Sequence, residues 1–236
     1  MAPTWTRHIK PFLTRLLIVA FGMVAWFATQ AILGQRLVNP DDPISDGIFL
    51  LTEQINKYLN ENKAVAHGLL IATSVVIDCV VTFMIAISIF GKTMRPFIAM
   101  IILFTCRQVC QMVCSLPPPE GMIWEYPGFP ALFVTYDVTN DLFFSGHTAM
   151  AVLGGLEIAS YGGFFVPLGY ILIAFETITV LLLKAHYTMD VYTGFITALW
   201  TYSLGEKLAP VLDRIGQPEA AHQKKKAVIA AEEKQN

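Results

Sequence analysis

Uninterrupted apolar stretches of about 20 residues recur along this 236-residue chain, each long enough to cross a hydrocarbon core of roughly 30 Å. Lipid offers the backbone no hydrogen-bond partners, so such stretches fold as helices that satisfy themselves. Composition agrees: 55% of the residues are hydrophobic and 14% charged, outside the soluble range. A disordered or nucleic-acid-binding protein is excluded. Cys79, Cys106, Cys110 and Cys114 all lie inside apolar segments, the last three spaced i, i+4, i+8. They read as packing residues, since no second cluster completes a disulfide framework or a metal-ligand set.

The expected fold is all-α, a polytopic bundle of six transmembrane helices over about 12–34, 64–90, 97–116, 142–161, 164–183 and 185–204. Residues 1–11 form a cytoplasmic N-terminus, 12–204 the catalytic membrane domain, and 205–236 a polar cytoplasmic tail with Lys224, Lys225 and Lys226. The first span lacks the cleavage site of a signal peptide and reads as a retained anchor. Between the first two spans, Ser45 can cap a short helix with Ile48, Leu50, Leu51, Ile55 and Leu59 on one side, a helix suited to the membrane interface. Pro117, Pro118 and Pro119 stop the third span. Charge orients the bundle. Arg7, Lys10, Arg15, Lys92, Arg95, Lys207 and Arg214 fall on one side, and Asp46, Glu53, Glu61, Glu120, Glu125 and Asp137 on the other. Basic loops stay cytoplasmic, so both termini face the cytosol.

Two short motifs occupy the opposite, extracytoplasmic or lumenal side. Ser145-Gly146-His147-Thr148 lies at the outer end of the fourth span, and His186-Tyr187-Thr188-Met189-Asp190 opens the sixth. Even-numbered spans enter from one face, so topology puts the two histidines at similar depth. Polar groups there are costly unless paired or used. His186 and Asp190, four apart on one helix face, suit a carboxylate that keeps one imidazole nitrogen protonated and leaves the other as a nucleophile. His147 could then protonate a leaving alkoxide and deprotonate an acceptor. Lys184, Arg107 and backbone N–H groups near Gly146 could take the charge of a phosphoryl group. No metal or other cofactor is required.

Each feature has a plainer reading. Ser145 and His147 could be a helix cap and a packed imidazole, and His186 with Asp190 a structural pair. Arg107 could be neutralised by Asp78 as easily as by phosphate. Glu157 and Glu176 read as polar packing between helices. Trp124 and Tyr126 could anchor the chain at the interface. The catalytic reading rests on both motifs meeting on one face beside Lys184.

At these residues the chain resembles the type 2 phosphatidic acid phosphatase superfamily, whose phosphatases carry Lys-x6-Arg-Pro, Pro-Ser-Gly-His and Ser-Arg-x5-His-x3-Asp. Ser145-Gly146-His147 matches the second motif with Phe144 in place of proline, and His186 and Asp190 match the end of the third. Thr179 and Val180 stand where the third has Ser-Arg. Arg95-Pro96 matches the end of the first, but Ser88 replaces its lysine and Arg95 falls on the wrong side of the membrane. The phosphotransferase branch is a better match. Asp141-Leu142-Phe143-Phe144-Ser145-Gly146-His147-Thr148 and His186-Tyr187-Thr188-Met189-Asp190-Val191 look like the two motifs of sphingomyelin synthases. Arg107 followed by Leu116-Pro117, and a basic residue two before His186, also resemble plant phosphatidylcholine:diacylglycerol cholinephosphotransferases. The resemblance implies a six-span bundle in which His186 attacks phosphorus, Asp190 supports it and His147 handles the hydroxyls.

The expected activity is thus transfer of a phosphocholine or phosphoethanolamine headgroup from a glycerophospholipid to a lipid alcohol, ceramide or diacylglycerol, through a phosphohistidine. A lipid phosphate phosphatase or phospholipase C-like hydrolase with the same histidines, and a non-enzymatic lipid-binding protein, are the alternatives. Expected substrate contacts are Arg107, Asp141, Ser145, Gly146, Lys184 and Tyr187, with Trp124 and Tyr126 suited to a choline or ethanolamine cation. The partners are the phospholipid donor, the lipid alcohol and the bilayer; a homo-oligomer is left open.

Overall fold

The computed structural model describes residues 6–35, 46–137 and 142–214. Ser45, Asp141 and the lysines at 224–226 lie outside them. The described residues form seven helices and no strand: α1 (Thr6–Leu33), α2 (Gly47–Glu61), α3 (Lys63–Phe90), α4 (Arg95–Val113), α5 (Gly146–Ala159), α6 (Phe165–Leu182) and α7 (Thr188–Asp213). Four of them, α1, α3, α4 and α6, are long and apolar enough to cross a membrane.

The other two expected spans differ, for separate reasons. α5 has 14 residues, about 21 Å at 1.5 Å per residue, because its first expected turn is not helical. The carbonyls of Leu142 and Phe144 instead accept from His186 Nδ1 and Arg107 Nε. Ser145 caps the helix, its Oγ accepting from Thr148 N–H at 3.3 Å. The far end stops at the Gly162–Gly163 turn. α7 is long, 26 residues, but carries Asp190, Glu206, Lys207 and Asp213.

α5 is the hub of the bundle. Ten of its residues are buried, from His147 to Gly155 and Glu157, and it packs against α3, α4, α6 and α7. A helix apolar on all sides must be enclosed in this way. Gly155 and Gly169 let α5 and α6 approach backbone to backbone, since a Cβ on Gly169 would lie 2.2 Å from the Gly155 carbonyl oxygen. One core unites Val80, Val81 and Met84 of α3, Leu103 of α4, and Met150, Val152 and Leu153 of α5.

The end remote from the motifs is tied by ion pairs. Both terminal nitrogens of Arg95 are engaged: Nη2 bonds both Glu157 oxygens at 2.7 Å, and Nη1 bonds Glu206 at 3.2 Å. Arg15 donates to the Gly91 carbonyl at 2.6 Å, and Asp213 accepts from Met94 N–H at 2.6 Å. Glu176, in α6, receives the hydroxyl of Thr73. Glu157 is therefore an ion-pair partner rather than general polar packing.

At the other end α2 lies across the bundle. Asp46, not Ser45, is its observed cap, accepting from Ile48 N–H at 3.0 Å. Phe49, Asn56 and Leu59 face the bundle, while Ile48, Leu50, Leu51, Ile55 and Tyr58 remain exposed. Such an amphipathic helix suits the edge of a bilayer.

Candidate active site

The two motifs meet. Ser145 N–H donates to the Asp190 carbonyl at 3.0 Å, joining the start of α5 to the first turn of α7. His147 and His186 line one small cavity, about 50 Å³, with Arg107, Trp124, Gly146 and Gln30. Both histidines are more than nine-tenths buried.

His186 sits in the turn between α6 and α7, two residues before α7 begins, so it and Asp190 do not share a helix face. Lys184, at φ 49°, reverses the chain there. The His186 Nδ1 lies 2.9 Å from the Leu142 carbonyl oxygen and 3.7 Å from Asp190 Oδ2. A carbonyl only accepts, so Nδ1 carries the proton and Nε2 holds the lone pair. The positioning expected from Asp190 is thus supplied first by a backbone oxygen, with the carboxylate beyond hydrogen-bond distance. Asp190 Oδ2 accepts from Tyr187 N–H at 3.0 Å, which fixes the start of α7. Its Oδ1 is buried with no hydrogen-bond partner, as is His147 Nε2. Buried polar atoms are nearly always paired, so an unpartnered imidazole nitrogen on a residue that lines a cavity is a candidate for proton exchange.

Arg107 is buried in α4, its Nε donating to the Phe144 carbonyl at 3.0 Å and its Nη1 to Gln30 Oε1 at 3.4 Å. A Cβ on Gly146 would stand 3.2 Å from Arg107 Nε, so the absence of a side chain there lets the guanidinium reach the N-terminus of α5. Positive charge beside a helix N-terminus is an arrangement that can hold an anion. Asp78 does not neutralise it. Both Asp78 oxygens accept backbone N–H groups, from Leu132 at 2.8 Å and Phe133 at 3.0 Å, and so hold down the connection between α4 and α5.

The remaining expected site residues divide. Trp124 meets His147 edge-on with ring centroids 5.0 Å apart, its Nε1 donating to the Thr135 carbonyl. Tyr126 is half-exposed against Tyr136 and lies outside the cavity lining. Lys184 bonds Glu53 of α2 at 2.6 Å and lies over the Phe49 ring, 5.3 Å from its centroid. Tyr187 donates its hydroxyl to the Pro117 carbonyl at 3.0 Å. Ser145 is wholly buried as the cap of α5. Among the described residues no three His, Cys, Asp or Glu side chains form a metal-ligating group.

Three participants escaped sequence reasoning. Gln30 of α1 reaches Arg107, and its signal was a polar pair, Thr29-Gln30, inside an apolar run. Trp26 lines the same cavity. Asp46 accepts from Thr188 N–H at 2.5 Å and Thr188 Oγ1 at 2.8 Å while capping α2, so one carboxylate joins the starts of α2 and α7. Farther out, hydrogen bonds from Lys63 at 2.9 Å and His67 at 3.2 Å hold the Glu125 carboxyl below its ordinary range.

Two plant proteins are similar to this chain in sequence. Phosphatidylcholine:diacylglycerol cholinephosphotransferase 1 of Arabidopsis thaliana is 23% identical over 216 residues, 89% of this chain and 70% of its own length. Phosphatidylcholine:diacylglycerol cholinephosphotransferase 2 of the same plant is 29% identical over 114 residues, 48% of this chain and 37% of its own length. The family model described as AtPDCT1/2 matches residues 45–207, which takes in both motifs and every helix from α2 to most of α7, and the chain belongs to that family.

Proposed function

We propose that the protein is a membrane lipid headgroup transferase that moves phosphocholine from phosphatidylcholine to diacylglycerol. The observation that carries this reading is the shared cavity in which His186, oriented through Nδ1, faces the same space as His147, whose Nε2 has no partner. In the first step His186 Nε2 attacks phosphorus, a P–N bond forms and the bond to the glycerol oxygen breaks; His147 protonates that oxygen, releasing diacylglycerol. In the second, His147 removes the proton of an incoming hydroxyl, its oxygen attacks phosphorus, and the P–N bond breaks to restore His186. Arg107 and the α5 N-terminus stabilise the charged oxygens. Trp124 offers its π face to the choline cation.

Burial of both histidines supports transfer over hydrolysis, because water must be scarce while the phosphohistidine lives. We place the bundle with six crossings, α2 lying in the interface, and the site on the extracytoplasmic or lumenal side. Arg15, Lys92, Arg95, Lys207 and Arg214 gather at the opposite end, supporting that orientation. Ethanolamine lipids and ceramide are the competing donor and acceptor. The test supplies purified protein in vesicles with choline-labelled phosphatidylcholine and either a diacylglycerol or a ceramide of distinguishable mass. Label should appear in phosphatidylcholine carrying the acceptor's chains. Release of soluble phosphocholine alone would contradict transfer.

A further inference from the structure

α6 ends in a turn that favours glycine. Ala185 N–H donates to the Val180 carbonyl at 2.9 Å and Lys184 N–H to the Leu181 carbonyl at 3.1 Å, with Lys184 itself at φ 49°. This nested pair of bonds ends many helices, and its left-handed residue is usually glycine because a Cβ is disfavoured there. Here the position carries a long side chain against its backbone preference, a conformation that persists where the surroundings fix it. The Lys184 side chain is buried, donates to Glu53 Oε2 at 2.6 Å and lies 5.3 Å from the Phe49 ring centroid. It lines no part of the catalytic cavity, although Ala185 and His186 do.

The partner helix follows the turn residue by residue. Asp46, Phe49, Glu53, Asn56 and Asn60 are spaced by three and four, one face of α2 and its cap. In antiparallel order Asn56 Nδ2 donates to the Leu182 carbonyl at 3.0 Å, Glu53 takes Lys184, Phe49 packs on Tyr187 with centroids 5.6 Å apart, and Asp46 accepts from Thr188. Asn60 reaches past the turn to the Gly121 carbonyl at 3.1 Å. The segment so held, 182–188, contains His186, whose Nδ1 meets the Leu142 carbonyl on its other side. We propose that Lys184 and Glu53 are positioning residues for His186, their ion pair fixing the turn against α2 so that the imidazole keeps its bond to Leu142 and its place in the cavity lining. The consequence for catalysis rests on the transferase reading, whereas the hold on the turn does not.

The experiment uses full-length protein in vesicles and reads the turn and the reaction separately. In Lys184→Gly the turn receives the residue that suits its backbone while the tether is lost, and Glu53→Gln removes the charge from the other side. Diethyl pyrocarbonate modification of His186, located by mass spectrometry and normalised to the partly exposed His67, should rise about 3- to 10-fold in each variant, the worth of a charged hydrogen bond discounted for the exposure of Glu53. The double variant should show no further rise, since both changes remove one contact. In the transferase assay kcat should fall by a similar factor, with KM for phosphatidylcholine and diacylglycerol unchanged. Unchanged modification of His186 in either variant, as expected of a lysine that only ends α6, would overturn the proposal whether or not the protein turns over. So would an additive rise in the double variant. A kcat kept in Glu53→Gln but lost in Lys184→Gly would mark a lysine that contacts phosphate, and a raised KM in both a substrate contact; either result would overturn the positioning role. Modification raised as expected in a protein that transfers nothing would leave the hold on His186 standing and sink the transferase reading.

Discussion

The two ends of α4 carry arginines in different surroundings. Arg95, in its first turn, is bound to the carboxylates of Glu157 and Glu206 and joins α4, α5 and α7. Arg107, twelve residues or about 18 Å along, bonds a carbonyl and an amide oxygen and lines a cavity with two histidines. At the Arg95 end the two terminal nitrogens of the guanidinium meet carboxylates, while Arg95 Nε and Arg15 Nε are buried with no hydrogen-bond partner. At the Arg107 end His147 Nε2 and Asp190 Oδ1 are left without partners, although both are buried. What separates the ends is therefore the cavity: ion pairs join helices at one, and unpartnered groups of the other belong to residues at or beside a space that a bound molecule could enter. The same helix thus works as a strut at one end and as a wall of the site at the other.

Substitutions should break this contrast in graded steps. His186→Ala should lower headgroup transfer by more than about 10³-fold and His147→Ala by about 10²- to 10⁴-fold, both read as rates per folded protein. Gly146→Ala, which presses a methyl against the Arg107 guanidinium, should cost about 10- to 100-fold in kcat with little change in KM, because it shifts a charge that acts on the transition state. Glu157→Gln should do the reverse: a loss of about 3 kcal/mol from a broken buried pair, seen as a lower unfolding temperature, with turnover per folded molecule retained. If Glu157→Gln instead abolished turnover in a stable protein, the division between the two ends would be wrong.

The smallest effect concerns the exposed Lys63–Glu125–His67 contact. Glu125 has a lowered pKa in the folded chain, so its contribution is complete above the ordinary carboxylate pKa and fades as pH falls through the lowered one. Glu125→Gln should therefore lower the unfolding temperature slightly at neutral pH, with the difference from wild type vanishing in acid. A difference that grew in acid would have the wrong sign.

Much of the site was legible because its chemistry-bearing residues are exceptions in an apolar chain. His147, His186, Asp190 and Arg107 stand out against stretches of Leu, Ile and Val, and the two motifs, expected at one end of the bundle, do meet there. The long helices were legible from length and hydropathy, with α3 and α6 within a residue or two of the expected bounds. Hydropathy cannot register where a helix begins when its first carbonyls have other partners. Residues 142–144 are as apolar as a span, yet their carbonyls bond His186 and Arg107, so α5 starts four residues later. Nor could spacing reveal that a backbone oxygen would orient His186, since every residue has one. Lys184 was expected at the phosphate because it neighbours His186; the turn that brings His186 inward directs Lys184 to Glu53. Long-range pairings of this kind, Asp46 with Thr188 among them, depend on how α2 is laid across the bundle, which no local pattern encodes.

In the proposed reaction His186 Nε2 carries the headgroup phosphate between donor and acceptor. Brief incubation of the purified protein with phosphatidylcholine labelled at phosphorus, with no acceptor present, tests it directly. Protein-bound label is expected that is stable in base and lost in acid, as a phosphorus–nitrogen bond is, located on His186 and absent from His186→Ala. Label located on another residue, or transfer that persists in His186→Ala, would contradict it.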